Sequence, residues 1–224
     1  MRFVLVTDKK WHDSLFEELR LAVPGEWTRI KEKAEFTQEN LERIVPDWVL
    51  IPHWSHIIPS GIYENYRCVV FHMTDLPFGR GGSPLQNLIV RGLEETKISA
   101  IKVSRGLDTG DVYLKKNLSL SGTAQEIFSR SALVICEMII ELIQNNPEPS
   151  PQLGEVTVFQ RRKPADGDLY PLSSNKEIFD HIRMLDCEGY PPAFIETEHF
   201  RFEFTGAGIN NDESIKANVR IIKK

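Results

Sequence analysis

His72 ends the apolar run Val69-Val70-Phe71 and opens a proline- and glycine-rich segment, His72-Met73-Thr74-Asp75-Leu76-Pro77-Phe78-Gly79-Arg80-Gly81-Gly82-Ser83-Pro84. An imidazole at the end of a buried strand projects from the carboxyl edge of a sheet, where open α/β proteins gather their ligands. Asp108 stands in the turn Gly106-Leu107-Asp108-Thr109-Gly110-Asp111, whose glycines allow close backbone approach. A histidine partnered by a carboxylate can draw a proton from a nucleophile near neutral pH, with the carboxylate orienting the ring and stabilising its cation. Taken singly, each residue also has a structural use: ring nitrogens tie down loops, and D-T-G turns are common.

The elements that must carry these loops follow from periodicity. Residues 3–7 form a β-rich apolar run, and Trp11, Leu15, Phe16 and Leu19 have helical spacing over 11–21. Thr37 starts a second helix that Pro46 ends, and strands are expected at 47–51 and 67–71. Pro84 suits the first turn of a helix over 85–91 closed by Gly92. Two strands at 97–103 and 111–120 flank the Asp108 turn, and Thr123 with Glu126 makes a capping box for a long helix with a broad apolar stripe. After the segment N-N-P-E-P-S-P-Q from Asn145, short strand-like pieces and one helix at 176–184 remain. This order predicts an α/β fold: an open, mostly parallel Rossmann-like sheet with helices on both faces, plus a small C-terminal α+β region. The expected division is a main domain at 1–150, which carries both loops, and a small region at 151–224.

At 224 residues, with 41% hydrophobic and 26% charged residues, the chain reads as an ordinary globular protein with one main domain. No apolar run approaches the ~18 residues of a membrane span, and the N-terminus passes into a strand without a signal-like leader, so a cytoplasmic protein with no membrane partner is expected. The net charge of −5 argues against a broad basic surface and hence against a nucleic-acid partner. Cys68, Cys136 and Cys187 lack the spacing of a zinc site or disulfide framework. His12, His53, His56, His181 and His199 offer no helical i, i+4 pair, so no metal is expected. Neither G-x-G-x-x-G nor a Walker-type phosphate loop is present.

The two loops together resemble the signature of the folate-dependent formyltransferases. The first is similar to the pattern N-x-H-x-S-L-L-P-x-x-R-G, matching at His72, Leu76, Pro77, Arg80 and Gly81, and the L-D-T-G-D turn at 107–111 matches fully. The resemblance covers roughly residues 45–145. It implies His72 and Asp108 as the catalytic pair and 10-formyltetrahydrofolate as cosubstrate. It also implies a pterin site at the backbone of 103–107, with Val103, Arg105, Gly106 and Leu107 contributing and Ile57 and Ile58, with Trp54, as an apolar wall. The family's catalytic asparagine falls at Val70, which can neither donate to an oxyanion nor orient an amine. His53 and Thr74 are the candidates to replace it, and the departure keeps open a non-catalytic folate-binding module.

Among the branches of the family, the missing glycine- and asparagine-rich phosphate loop, where Asp8-Lys9-Lys10 stands, disfavours the phosphoribosylglycinamide-acting enzymes. The tRNA-acting branch is disfavoured by the chain's length and acidity, and formylation of tRNA or of another small amine stands as the alternative. The R-R-K-P segment and the arrangement Ile182-Arg183 followed by Pro191-Pro192-Ala193-Phe194 resemble the branch acting on amino sugars attached to nucleotides. That resemblance implies a small-molecule acceptor such as a 4-amino-4,6-dideoxy sugar nucleotide of bacterial surface glycans. Thr74, Phe78, Arg80, Arg161, Arg162 and Lys163 are then expected to contact it, and a homodimer is compatible with it. A solvated charge run is the other reading of 161–163.

Overall fold

The computed structural model describes residues 1–224. In chain order the strands are β1 (Arg2–Val6), β2 (Glu26–Ile30), β3 (Trp48–Pro52), β4 (Cys68–His72), β5 (Arg80–Gly81), β6 (Glu95–Lys102), β7 (Val112–Ser119), β8 (Val158–Phe159), β9 (Ala193–Glu196), β10 (Phe200–Ile209) and β11 (Ile215–Lys223). The helices are α1 (Asp13–Ala22), α2 (Gln38–Ile44), α3 (Ser60–Tyr63), α4 (Pro84–Ile89), α5 (Ala124–Asn145) and α6 (Asn175–Arg183). They divide into two compact units, one of Met1–Gly81, Thr96–Leu118 and Ser129–Val158, the other of Gly82–Glu95, Ser119–Phe128 and Phe159–Lys224.

The first unit is built on a six-stranded sheet in the order β2-β1-β3-β4-β6-β7. β2, β1, β3 and β4 are parallel, and β6 runs antiparallel to β4. All five residues of β3 are buried, as expected of a near-continuous apolar strand covered on both faces. Val4, Val6, Val49, Ile51 and Leu41 form the heart of one core cluster there. The chain goes from β1 to one side and then crosses back to β3, so the strand order reverses between β1 and β3. Beyond the carboxyl ends of strands at such a switch point lies the crevice in which open α/β sheets bind ligands. The expected α/β architecture, mostly parallel, is the observed one.

Local signals explain the boundaries. Thr37 caps α2 by accepting from the Asn40 amide at 3.2 Å, and Val45 leaves the helix in the left-handed region just before Pro46. The expected first helix begins as a single 3₁₀ turn at Lys10–His12 before α1. β2 was not anticipated, because E-W-T-R-I is only half apolar. It is an edge strand, held where Trp27 stacks on Phe3 at 4.5 Å.

The second unit holds α4, α6 and an antiparallel sheet in the order β11-β10-β9. Ser174 and Glu177 form a reciprocal capping box for α6, and Leu169, Ile182 and Ala193 centre a small core. The hairpin β10–β11 is far longer than the strand-like pieces its sequence suggests. Gly206 and Gly208 interrupt the period-two pattern at the register shift between Thr205 and Gly208. No helix of the chain is long and apolar enough to cross a membrane.

Candidate active site

His72 is the last residue of β4 and only 7% exposed. Its Nε2 lies 2.8 Å from the Gly79 carbonyl, which can only accept, so Nε2 carries a proton. Nδ1 faces Asp108, whose Oδ2 is 3.5 Å away. Asp108 is placed by its backbone, in the left-handed region at φ 52°, and by the Gly81 amide, which donates to the same Oδ2 at 2.9 Å. Gly110 follows because a Cβ there would stand 1.7 Å from the Lys102 carbonyl oxygen. A proton arriving at Nδ1 would thus meet a carboxylate already held in position.

Both loops are braced from outside the motifs. The Gln152 amide nitrogen donates to the Asp108 carbonyl at 2.9 Å and to the Gly110 carbonyl at 2.8 Å, and its oxygen accepts from Arg80 Nε and Nη2 at 3.1 and 2.8 Å. Ser99, opposite His72 in the β4–β6 register, donates to the Thr74 carbonyl at 2.7 Å and accepts from the Leu76 amide at 3.3 Å. Asp75 pairs with Lys97 at 2.9 Å and Lys115 at 2.5 Å. Partial burial would raise the Asp75 carboxyl, but the two ammonium groups outweigh it and hold its pKa below the ordinary value.

A second polar cluster occupies the carboxyl ends of β1 and β3. Thr7 Oγ1 lies 2.7 Å from His12 Nδ1, and His12 Nε2 lies 3.1 Å from His53 Nδ1, the two rings stacked with centroids 5.0 Å apart. Trp11 Nε1 approaches the same His53 nitrogen at 3.4 Å, and His53 Nε2 lies 2.8 Å from Met73 Sδ. Burial, then the charges of His53, Arg29 and Lys9, hold the fully buried His12 well below the ordinary histidine pKa. Burial, then the charges of Lys9 and His72, against a smaller opposing effect of Asp8, bring His53 down to about 3. Both rings are neutral at physiological pH.

The remaining expected residues fall into distinct settings. Ile58, Val103, Trp54 and Val70 are half-buried, each packed against the same core cluster. Ile57 is 91% exposed and Leu107 65% exposed, while Arg105 and Gly106 lie in the exposed turn. Thr74 is fully buried, its hydroxyl donating to the Gly79 carbonyl at 3.3 Å, so it braces the loop from within. Phe78 and Arg80 are half-buried, Arg80 with its guanidinium on Gln152. Gly82, Ser83 and Asn87 fasten the segment leading into 161–163: Asn87 donates to the Gln160 carbonyl at 2.8 Å and Arg162 N to Ser83 Oγ at 3.1 Å. Arg161 and Lys163 are exposed, whereas the half-buried Arg162 donates to the Asp166 carbonyl at 2.7 Å. Sequence reasoning missed Gln152 and Ser99, which belong to no motif, and saw His12 only as one of several scattered histidines.

Comparison with known proteins decides the family. The family model described as formyl transferase matches residues 7–130, and that described as methionyl-tRNA formyltransferase, C-terminal domain, matches 164–222. The chain belongs to the formyl transferase family. Over 153 residues this formyltransferase is 29% identical to a methionyl-tRNA formyltransferase of Thermodesulfovibrio yellowstonii, covering 65% of this chain and 50% of that one. It thus spans about half the length of the curated relatives it matches first. A solved methionyl-tRNA formyltransferase from Clostridium thermocellum is 49% identical, with 100% of both chains covered and a TM-score of 0.96. The fold also recurs in HypX from Aquifex aeolicus, solved with tetrahydrofolic acid, at 17% identity and a TM-score of 0.73 over 92% of this chain and 38% of that one.

These relatives correct three expectations: the amino-sugar nucleotide acceptor, the surface-glycan role and the exclusion of nucleic acid. The segment containing Ile182-Arg183 and Pro191-Pro192-Ala193-Phe194, read as an amino-sugar element, lies inside the methionyl-tRNA formyltransferase C-terminal match. Arg183 there is buried and structural, donating to the Leu120 and Gly122 carbonyls at 2.6 and 3.0 Å. Length is no argument against the tRNA-acting branch when a solved member is covered end to end. Nor is a net charge of −5, because it sums the whole surface while phosphate binding depends on where cations lie locally.

Proposed function

We propose that this formyltransferase moves the formyl group of 10-formyltetrahydrofolate onto the amino group of methionyl-tRNA, in the cytoplasm. The observation that carries the reading is the 49% identity to a methionyl-tRNA formyltransferase over the whole of both chains. In this reading residues 1–150 carry the chemistry and 151–224 complete the acceptor site. The half-buried Ile58, Val103 and Val70 supply apolar side chains of the kind a pterin ring packs against. The exposed backbone of the turn after Val103 supplies amides and carbonyls for its polar edge, with Ile57 and Leu107 at the rim.

In this reading the His72–Asp108 pair takes the proton from the attacking amine and shares the charge that results. His72 then returns that proton to the departing folate nitrogen. Gln152 and Ser99 keep both loops from reorganising, which electrostatic stabilisation of a transition state requires. Arg161 and Lys163, exposed and long, are suited to phosphate contacts.

The test is an acceptor panel with 10-formyltetrahydrofolate: methionyl-tRNA, uncharged tRNA, glycinamide ribonucleotide, and UDP- and dTDP-linked amino sugars. Formylation of methionyl-tRNA is expected. Turnover confined to any other acceptor would overturn the substrate, and failure of a non-reactive formylfolate analogue to bind in calorimetry would overturn the donor.

A further inference from the structure

His53 and His72 leave the sheet side by side. Pro52 pairs with Phe71 in the parallel register of β3 and β4, so the next residue of each strand emerges at the carboxyl edge, about 4.8 Å from its neighbour in the pairing direction. His53 leaves in the left-handed region, at φ 49°, a conformation that a non-glycine residue holds only where its surroundings impose it.

The hydrogen-bond directions behind His53 follow from the Trp11 contact. An indole N–H only donates, so the approach of Trp11 Nε1 at 3.4 Å makes His53 Nδ1 an acceptor. The single proton of the neutral His53 ring is then on Nε2. His12 Nε2, 3.1 Å from the same Nδ1, must be a donor as well. His12 Nδ1 therefore accepts, and the Thr7 hydroxyl donates to it at 2.7 Å while Thr7 Oγ1 receives the Lys9 amide at 3.3 Å. Every link points the same way and ends on the Nε2–H that meets Met73 Sδ.

We propose that the Nε2–H of His53, fixed by the Thr7–His12 chain, is a hydrogen-bond donor to the formyl oxygen during transfer. The inference rests on the formyl-transfer reading above and assigns a part that no residue of the His72–Asp108 pair can fill. As the amine lone pair forms the new C–N bond, the carbonyl π pair moves onto oxygen, and His53 stabilises that oxygen without giving up its proton. The His72–Asp108 pair takes the amine proton. The oxygen pair then re-forms the carbonyl as the bond to the folate nitrogen breaks, and that nitrogen receives the proton from His72.

Other candidates for this donor are spent or absent: Val70 has none, and the Thr74 hydroxyl is committed to the Gly79 carbonyl. The contact of His53 Nε2 is the thioether of Met73, a weak acceptor that an oxygen bearing negative charge displaces. A ring that stays neutral, as His53 does, donates a hydrogen bond without becoming a competing acid.

The test compares wild type with His53→Asn, His53→Ala, His53→Gln and His12→Ala, using methionyl-tRNA and 10-formyltetrahydrofolate. Asparagine tolerates the left-handed backbone and its shorter amide does not reach the Nε2 position, so His53→Asn separates loss of the donor from loss of the fold, and melting curves check each variant. We expect kcat to fall by ~100-fold or more in the Asn and Ala variants with KM for the tRNA within ~2-fold. Partial recovery is expected in His53→Gln, whose amide can donate. In ¹⁵N-histidine NMR spectra the wild-type ring should be the Nε2–H tautomer, becoming mixed in His12→Ala. Folded Asn and Ala variants with kcat within ~3-fold of wild type would overturn the proposal, as would a proton on Nδ1. Absence of transfer by the wild type would instead overturn the functional reading on which it stands.

Discussion

The polar groups around His72 and the surface cations of the C-terminal unit are organised on opposite principles. His72 and Asp108 keep only 8% and 11% of their side chains exposed, and each has fixed partners. The cations of 161–163 and of β11, such as Arg161, Lys163, Lys216 and Lys223, are exposed. A buried group left without its partner costs its full desolvation penalty, about 1–3 kcal/mol, whereas an exposed ion pair contributes about 0–1 kcal/mol. The first arrangement holds the reacting groups in one geometry, which proton transfer requires. The second leaves long side chains solvated and adaptable, which suits contact with a phosphate backbone. Chemistry and recognition therefore respond differently to mutation, and the difference can be measured.

The largest effect should come from the first region. His72→Ala and Asp108→Ala are each expected to lower kcat by at least ~100-fold while the chain stays folded; near wild-type turnover in either would remove the proton-transfer assignment. Gln152→Ala leaves the Asp108 and Gly110 carbonyls and the Arg80 guanidinium without their shared partner. A stability loss of about 1–3 kcal/mol in urea titration and a fall in kcat of ~10-fold are expected, with KM for tRNA little changed.

In the second region the order reverses. Replacing Arg161, Arg162 and Lys163 together by Ala should weaken tRNA binding and lower the slope of log affinity against log salt by about one for each phosphate no longer neutralised. The same change should leave kcat at saturating tRNA within ~2-fold. An unchanged salt slope would show that these cations touch no phosphate. The smallest effect concerns Asp75. Its folded pKa is depressed by Lys115 and Lys97, so its stabilisation is present above the unfolded carboxylate value and is lost as pH falls through the folded one. The melting-temperature gap between wild type and Asp75→Asn should therefore hold from pH 7 to about 4, near the unfolded value, and close below it.

How much was legible in the sequence varies with the range of the interaction. His72, Asp108 and their turn glycines could be picked out because each sits in a local pattern of strand end, glycine and proline. The long helix and its Thr123–Glu126 capping box could be read for the same reason. β2 was missed because its half-apolar residues are held by an edge pairing with β1. Gln152 lies 42 to 44 residues from the carbonyls it braces, and no periodicity marks such a bond. The acceptor was misread for a related reason: total charge can be counted along the chain, but the placement of charge cannot.

What the amino-acid order determined by itself was the alternation of strands and helices, the two loops that close on His72 and Asp108, and the family to which those loops point. These depend on backbone preferences and hydrophobic periodicity, which act over a few residues. Tertiary structure alone decided which way each imidazole faces. His72 turns Nδ1 to Asp108 because the Gly79 carbonyl takes its other nitrogen, and His53 presents Nε2–H because Trp11 and His12, brought from the end of β1, occupy its Nδ1. A proton's position on a ring is set by the donors and acceptors that folding gathers around it, and those came from strands far apart in the chain.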